Sequence, residues 1–212
     1  MSNKNIGWQI LNMTEAKAAE TEFTVVVSGL GRSGTTMVGK ALTAGGLFMG
    51  VNMANVIHED VGLSNGIENG DLAAVRKFVT TRNGKFQRWG FKRPMIVKHD
   101  ALLEKELRKP RYVIIFRDPL AVAMRNGLSL GFALPAALGV YHQQLAEIVA
   151  FVQRSKSPLL LASYEKTLLD QEGFAQALAQ FCGIPVANVP AMVKIIRPND
   201  EAYLVATRPR TA

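Results

Sequence analysis

Arg32, Ser33, Thr35 and Thr36 fall within a turn of three glycines, GLGRSGTT, at residues 29–36. Residue types at this spacing suit one task, the holding of a tetrahedral oxyanion. Glycines let successive backbone N–H groups point inward, and a helix starting at the turn adds partial positive charge, so phosphate or sulfate is held without side-chain help. Arg32 then adds a full charge from inside the loop. A triphosphate loop of the form G-x-x-x-x-G-K-[ST], counted from Gly29, would put lysine directly after Gly34. This chain has Thr35 there, followed by Thr36. That lysine serves the β- and γ-phosphates, so its absence points away from a triphosphate. A magnesium-ATP small-molecule kinase with Thr36 and Asp118 on the metal is the rival reading, and a non-catalytic nucleotide-binding module a second.

The elements that must position this turn are legible from apolar patterning. FTVVVSG (23–29) reads as a strand buried on both faces of a parallel sheet, and TTMVGKALTA (35–44) as a helix stopped by Gly45 and Gly46. A helical DLAAVRKFVTTR follows a glycine- and asparagine-rich stretch. RWGFKRP (88–94) is a strand closed by Pro94, and DALLEKELRK (100–109) a helix. RYVIIFRDP (111–119) is a second buried strand ending in Arg117 and Asp118, with helical LAVAMRNGLSLGF behind it. PLLLASYE (158–165) gives a third strand and EGFAQALAQFCGI (172–184) a helix. Strands alternating with helices imply a three-layer α/β/α fold around a mostly parallel central sheet. Ligands in such folds sit beyond the carboxyl ends of the strands. The turns after Val27 and Phe116 are therefore where chemistry is expected, and both carry arginine.

The chain reads as a single domain over residues 1–212, with about 1–20 an N-terminal extension and about 187–212 a short C-terminal segment. Its 48% apolar and 20% charged residues are those of an ordinary globular protein. The first 22 residues carry no secretory signal pattern. The apolar stretches 37–57 and 132–152 are broken, the first by Lys40 and glycines, the second by Pro135, His142, Gln143, Gln144 and Glu147, so no membrane span is expected. A lone cysteine, Cys182, rules out an intrachain disulfide and makes a reducing cytoplasm the expected compartment. Net charge is +8, and Arg76, Lys77, Arg82, Lys85, Arg88, Lys92, Arg93 and Lys98 follow one another with no acidic residue between. Most of these read as a solvated basic surface. Grouped, they would attract an anionic small molecule; no nucleic-acid pattern accompanies them.

Four segments, in order, resemble the sulfotransferases that use 3′-phosphoadenosine-5′-phosphosulfate (PAPS), whose fold is of the P-loop NTPase-like kind. GLGRSGTTMVGKAL is similar to that family's 5′-phosphosulfate loop, commonly R-S-G-T-T and a hydrophobic residue. RWGFKRPMIVKHDALLEKEL resembles its W-G-x-K-x-P segment, RYVIIFRDPLAVAMRNGLS its 3′-phosphate strand–turn–helix, and LLLASYEKTLLDQEGFAQALAQFCGIP its R-Y-E-D-L segment and following helix. The resemblance covers residues from about 23 to 186. It implies transfer of a sulfuryl group from PAPS, which leaves as 3′-phosphoadenosine-5′-phosphate (PAP), to a hydroxyl or amine by in-line displacement, with no obligatory metal. Arg32, Ser33, Gly34, Thr35 and Thr36 would hold the 5′-phosphosulfate, Arg117 the 3′-phosphate, and Tyr164 would lie near the adenosine. Lys92 would stabilise the bridging oxygen as its bond to sulfur breaks.

The pattern departs from the family at two places and leaves the general base to be chosen among several residues. Eight residues after Arg117 the family usually has serine, and here that position is Arg125, with Ser129 four further on. Residues four apart share a helix face, so the pair would still offer one cation and one hydroxyl to the same phosphate. The general base is expected between the loop and the lysine segment, where HED supplies His58, Glu59 and Asp60. Glu59 is the favoured base, with His58 and His99 as alternatives. His142 reads as structural, Cys182 as core, and Asp118 as a helix cap. After Pro185 many members carry a glycine-rich basic loop over the donor, whereas this chain has only a short tail with Lys194 and Arg197. Residues 45–90 would shape the acceptor side, and carbohydrate, lipid head group, small alcohol and peptide all stay open, as does the oligomeric state.

Overall fold

The structure, a computed structural model, describes residues 6–50 and 58–198. In chain order the elements are β1 (Trp8–Leu11), α1 (Glu15–Ala18), β2 (Phe23–Gly29), α2 (Thr35–Ala44), α3 (Val61–Glu68), α4 (Leu72–Lys85) and β3 (Arg88–Lys92). A single 3-10 turn, Ile96–His99, leads into α5 (Asp100–Glu106), then β4 (Arg111–Phe116), α6 (Pro119–Leu130), α7 (Leu134–Arg154) and β5 (Leu159–Ser163). The chain continues through α8 (Tyr164–Leu169), α9 (Gln171–Cys182), a second 3-10 turn and α10 (Val189–Val193).

The sheet order is β1-β5-β4-β2-β3, with β1 antiparallel to β5 and the other neighbours parallel. Every residue of β2 is buried, which is why FTVVVSG is apolar throughout. Successive side chains of a strand point to opposite faces, and the two faces are separate cores here. Val25 and Val27 pack with Val38 and Leu42 of α2 and Phe174 and Leu178 of α9. Val26 packs on the other face with Leu63 of α3, Val75 of α4, and Tyr141 and Ile148 of α7. The result is the expected three-layer α/β/α architecture with a mostly parallel sheet.

Helix starts follow one local rule. Asp60, Asp71, Asp118 and Asp170 each accept a hydrogen bond from the backbone N–H three residues on, capping α3, α4, α6 and α9. The Asp60 cap explains why the glycine- and asparagine-rich stretch still contains a helix. Pro135, an interruption in the apolar pattern, sits in the first turn of α7, where its missing N–H costs nothing. Trp8–Leu11, within the segment expected to be an extension, instead adds the edge strand β1. Among the described residues no single helix is long and apolar enough to cross a membrane; α6 and α7 pass such a test only as a pair bent by 120°.

The basic run 76–98 is a solvated face only in part: Arg76, Lys77, Lys85 and Lys98 are exposed, while the others are half-buried or buried. Arg82 and Lys92 are buried, and Arg76 forks onto Glu106 of α5 through two 2.8 Å bonds. Arg82 pairs with Asp60 under the rings of Phe78 and Trp89. The carboxylates that neutralise these cations come from other elements, so the linear sequence shows the charges without their partners.

Candidate active site

Register places the candidate residues at one edge. Val27 is level with Lys92 on one side and Val113 on the other, Gly29 with Ile115, and Phe116 with Ser163. The loop after β2, the end of β3, the turn after β4 and the start of α8 therefore meet beyond the carboxyl ends of the parallel strands. The helix after β2 covers one face of the sheet and those after β4 cover the other, so β2 and β4 flank a topological switch point, where crevices form.

The loop's shape depends on its glycines. Gly29 has φ of +148°, and a Cβ there would lie 2.5 Å from the Ile115 carbonyl; Gly34 has φ of +102°, and its Cβ would meet the Tyr164 ring at 2.4 Å. Arg32 itself adopts φ of +67°, a left-handed conformation uncommon outside glycine. The Ser33 hydroxyl donates to the Leu30 carbonyl at 2.7 Å and is buried, so it braces the turn. Thr35 is buried at the first residue of α2, and the Thr36 hydroxyl accepts from the Lys92 ammonium at 3.3 Å.

Lys92 ends β3 with its side chain on the α2 face, 1% exposed. Its ammonium donates to Glu59 Oε1 at 2.7 Å. Burial pushes its pKa below the ordinary lysine value, with Glu59 opposing that shift. Glu59, also buried, holds Arg93 with its other oxygen at 2.5 Å. Arg93 in turn forks onto Glu68 of α3 through bonds of 2.9 and 2.8 Å. The three residues of HED go three ways. His58 Nε2 pairs with the Thr43 hydroxyl at 2.8 Å, Glu59 takes Lys92 and Arg93, and Asp60 takes Arg82 while capping α3.

Arg117 points across the switch point. Its Nη1 donates to the Arg32 carbonyl at 2.9 Å, its guanidinium lies 4.4 Å over the Tyr164 ring, and its own carbonyl accepts from the Tyr141 hydroxyl at 3.1 Å. Glu165 is 3.9 Å from its Nε. The Arg117 Nε and the Ser129 hydroxyl are both buried without a hydrogen-bond partner. Arg125 and Ser129 lie one turn apart on α6, both half-buried.

The remaining candidates have other surroundings. His99 lies at the start of α5, its Nε2 buried without a partner and its pKa lowered by burial and by Lys98. His142 is exposed on α7 rather than packed. Cys182 is fully buried in the core, and desolvation pushes its thiol pKa up to about 12. Asp118 caps α6 through the Ala121 N–H at 2.8 Å. Of the short tail, α10 packs at the far end of α2 from the loop, where Met192 sits against Gly45; residues 199–212 lie outside the described residues. Arg93 and Glu68 were not singled out in the sequence, because Arg93 occupies the variable position of the W-G-x-K-x-P pattern. Among the described residues no three His, Cys, Asp or Glu side chains gather as a metal-ligand set.

The chain thus combines a mostly parallel α/β sheet, a glycine-rich loop after its first parallel strand and a buried lysine beside that loop. The Sulfotransferase family profile matches residues 64–188, which span β3, β4, β5 and α9. The chain belongs to the sulfotransferase family. Its fold is similar to the sulfotransferase domain from the Synechococcus PCC 7002 olefin synthase, with a TM-score of 0.54, 16% identity, and coverage of 89% of this chain and 82% of that one. It is also similar to sulfotransferase STF1 from Mycobacterium tuberculosis H37Rv, with a TM-score of 0.50, 13% identity, and coverage of 85% and 73%. No curated protein matches the chain by sequence.

Proposed function

We propose that the chain transfers a sulfuryl group from PAPS to a hydroxyl or amine of a small-molecule or carbohydrate acceptor. One observation carries this reading: the buried Lys92 ammonium lies 3.3 Å from Thr36 of the anion loop and 2.7 Å from the Glu59 carboxylate. A cation, an anion loop and a carboxylate in one place are what in-line sulfuryl transfer needs. The donor supplies an activated sulfur whose bond to the 5′-phosphate oxygen breaks as the acceptor oxygen or nitrogen bonds to it.

The chain's residues then divide the work. Backbone N–H groups of the loop and Arg32 balance the phosphosulfate charge. Lys92 places its ammonium at the bridging oxygen, where negative charge develops. Glu59 takes the acceptor's proton. Both its oxygens are in ion pairs, with Lys92 and Arg93. Arg117 grips the 3′-phosphate by its fork. Arg125 is better placed to help than Ser129. Helical side chains lean toward the N-terminus, and at 1.5 Å per residue Arg125 begins about 9 Å along α6 from Pro119, Ser129 about 15 Å. Tyr164 supports Gly34 and Arg117 and borders the adenosine. The acceptor approaches from the β3 side, past α3 and α4.

Calorimetric titration with PAP and with ATP, each with and without magnesium, tests the reading. PAP is expected to bind at micromolar affinity or tighter without metal, and binding is expected to be lost in Arg32→Ala and Arg117→Ala. Preference for magnesium-ATP would move the chain to the kinases, although Asp118 already spends an oxygen on capping α6. Tight PAP binding without turnover of PAPS would leave a nucleotide-binding module.

A further inference from the structure

Lys92 and Arg93 are consecutive residues at the end of an edge strand, so their side chains leave on opposite faces. Both nonetheless reach Glu59, at 2.7 and 2.5 Å. A carboxylate can meet both only from over the end of the strand. The backbone is tied down at that point, since the Arg93 N–H donates to the Val27 carbonyl at 3.1 Å and the Met95 N–H to the Gly29 carbonyl at 2.9 Å. Arg93 is fixed a second time by its fork onto Glu68, whose bonds hold the Glu68 carboxyl pKa low and the Arg93 pKa high. Two cations and two carboxylates thus alternate, Lys92, Glu59, Arg93, Glu68, from the α2 side of β3 to α3.

We infer that Arg93, anchored by Glu68, is a positioning residue that holds Glu59 in place for proton transfer beside Lys92. The inference rests on the reading of Glu59 as base. Glu59 lies outside any helix or strand, beside Asp60, which caps α3, and Lys92 and Arg93 each hold one of its oxygens. Arg93 is suited to this because a guanidinium can serve two carboxylates from one rigid plane, one edge forked on Glu68 and one nitrogen on Glu59. A lysine at 93 keeps the charge but lacks the planar fork, so it cannot hold Glu68 by two bonds and Glu59 by a third from one rigid plane.

The chemistry places a definite demand on that aim. As the acceptor's oxygen bonds to sulfur and the bridging S–O bond breaks, the acceptor's proton passes to Glu59, and the bridging oxygen gains the charge that Lys92 meets. Proton uptake neutralises Glu59 and weakens its pairs with both cations, but Arg93, still forked onto Glu68, stays in place to donate a hydrogen bond to the carboxyl.

The test combines structure and rate. Crystal structures of Arg93→Gln and Glu68→Gln show directly whether Glu59 keeps its place. In Arg93→Gln its oxygen is expected beyond hydrogen-bond reach of Lys92; retention of the wild-type contact overturns the inference whether or not the enzyme turns over. Turnover is read as PAP released from PAPS with water as acceptor. Arg93→Gln is expected to lower it about tenfold and Glu68→Gln about threefold, with PAP affinity unchanged and partial recovery in Arg93→Lys. The decisive comparison is the pair with Glu59→Gln. If Arg93 acts through Glu59, adding Arg93→Gln to Glu59→Gln costs nothing further; an undiminished tenfold loss in that background refutes it. Failure of PAP to bind the wild-type chain would instead refute the donor reading and leave the crystallographic result standing.

Discussion

Lys92→Met separates what this lysine does for the fold from what it does for the reaction. The substitution keeps a long unbranched stem and removes the ammonium. Lys92 is 1% exposed, and burial is the largest influence on its pKa, which it lowers. The fold is thus working against the charge. Removing one partner of a buried pair costs about 3–5 kcal/mol when it strands the other charge, whereas replacing buried ions by apolar groups is often neutral. Glu59 is not stranded here, because Arg93 stays on its second oxygen, so the expected loss is about 1 kcal/mol. The rate is another matter. Loss of a charge donor at the developing anion is worth about 10²–10³ in turnover, or about 3–4 kcal/mol of barrier. Denaturant unfolding reads the first quantity and PAP release from PAPS the second.

A pH series adds a sign to this prediction. Because the folded pKa of Lys92 lies below that of the unfolded chain, the unfolded state binds more protons in the interval between them, and the wild type gains stability as pH rises through it. Lys92→Met lacks that gain. Its stability relative to wild type is therefore expected to be best below the interval and to fall as pH approaches the ordinary lysine range. Unchanged turnover, or a stability loss above about 4 kcal/mol with turnover falling only in proportion, would refute the reasoning and make Lys92 a structural lysine.

Three further outcomes follow from the geometry. Gly34→Ala forces a side chain to φ of +102° and against Tyr164 at 2.4 Å; strain of about 1–3 kcal/mol should weaken PAP binding at least tenfold by calorimetry. Asp118→Ala removes the cap of α6, at a cost of about 1 kcal/mol in denaturant unfolding, with turnover within threefold of wild type; abolished turnover restored by raised magnesium would favour the kinase reading. Cys182, with its thiol pKa pushed up to about 12 and no exposure, should resist iodoacetamide at pH 8 in the folded chain and react fully in denaturant. Rapid labelling of the native protein would show that the core around α9 opens.

Much of the fold was legible because its signals are local. The buried strands β2 and β4 announce themselves as unbroken β-branched runs, and the loop between β2 and α2 by glycines whose φ values only glycine carries without strain. Aspartate caps mark helix starts even where the apolar pattern is weak, as at Asp60. What escaped is set by contacts distant in sequence. β1 has four residues and is a strand only because β5 receives it. Glu59 meets Lys92 across 33 positions and Arg93 meets Glu68 across 25, so neither pair has a spacing to recognise. The solvated-surface expectation failed at Arg82 and Lys92 for the same reason: Asp60 is what makes a buried Arg82 tolerable.

The most direct test is a crystal structure of the chain with PAP. The 5′-phosphate is expected in the turn of residues 32–36, within hydrogen-bond reach of Lys92, and the 3′-phosphate on Arg117 with Arg125 alongside. A nucleotide bound away from the carboxyl edge of β2 and β4, or bound there with its 5′-phosphate out of reach of Lys92, would contradict this reading.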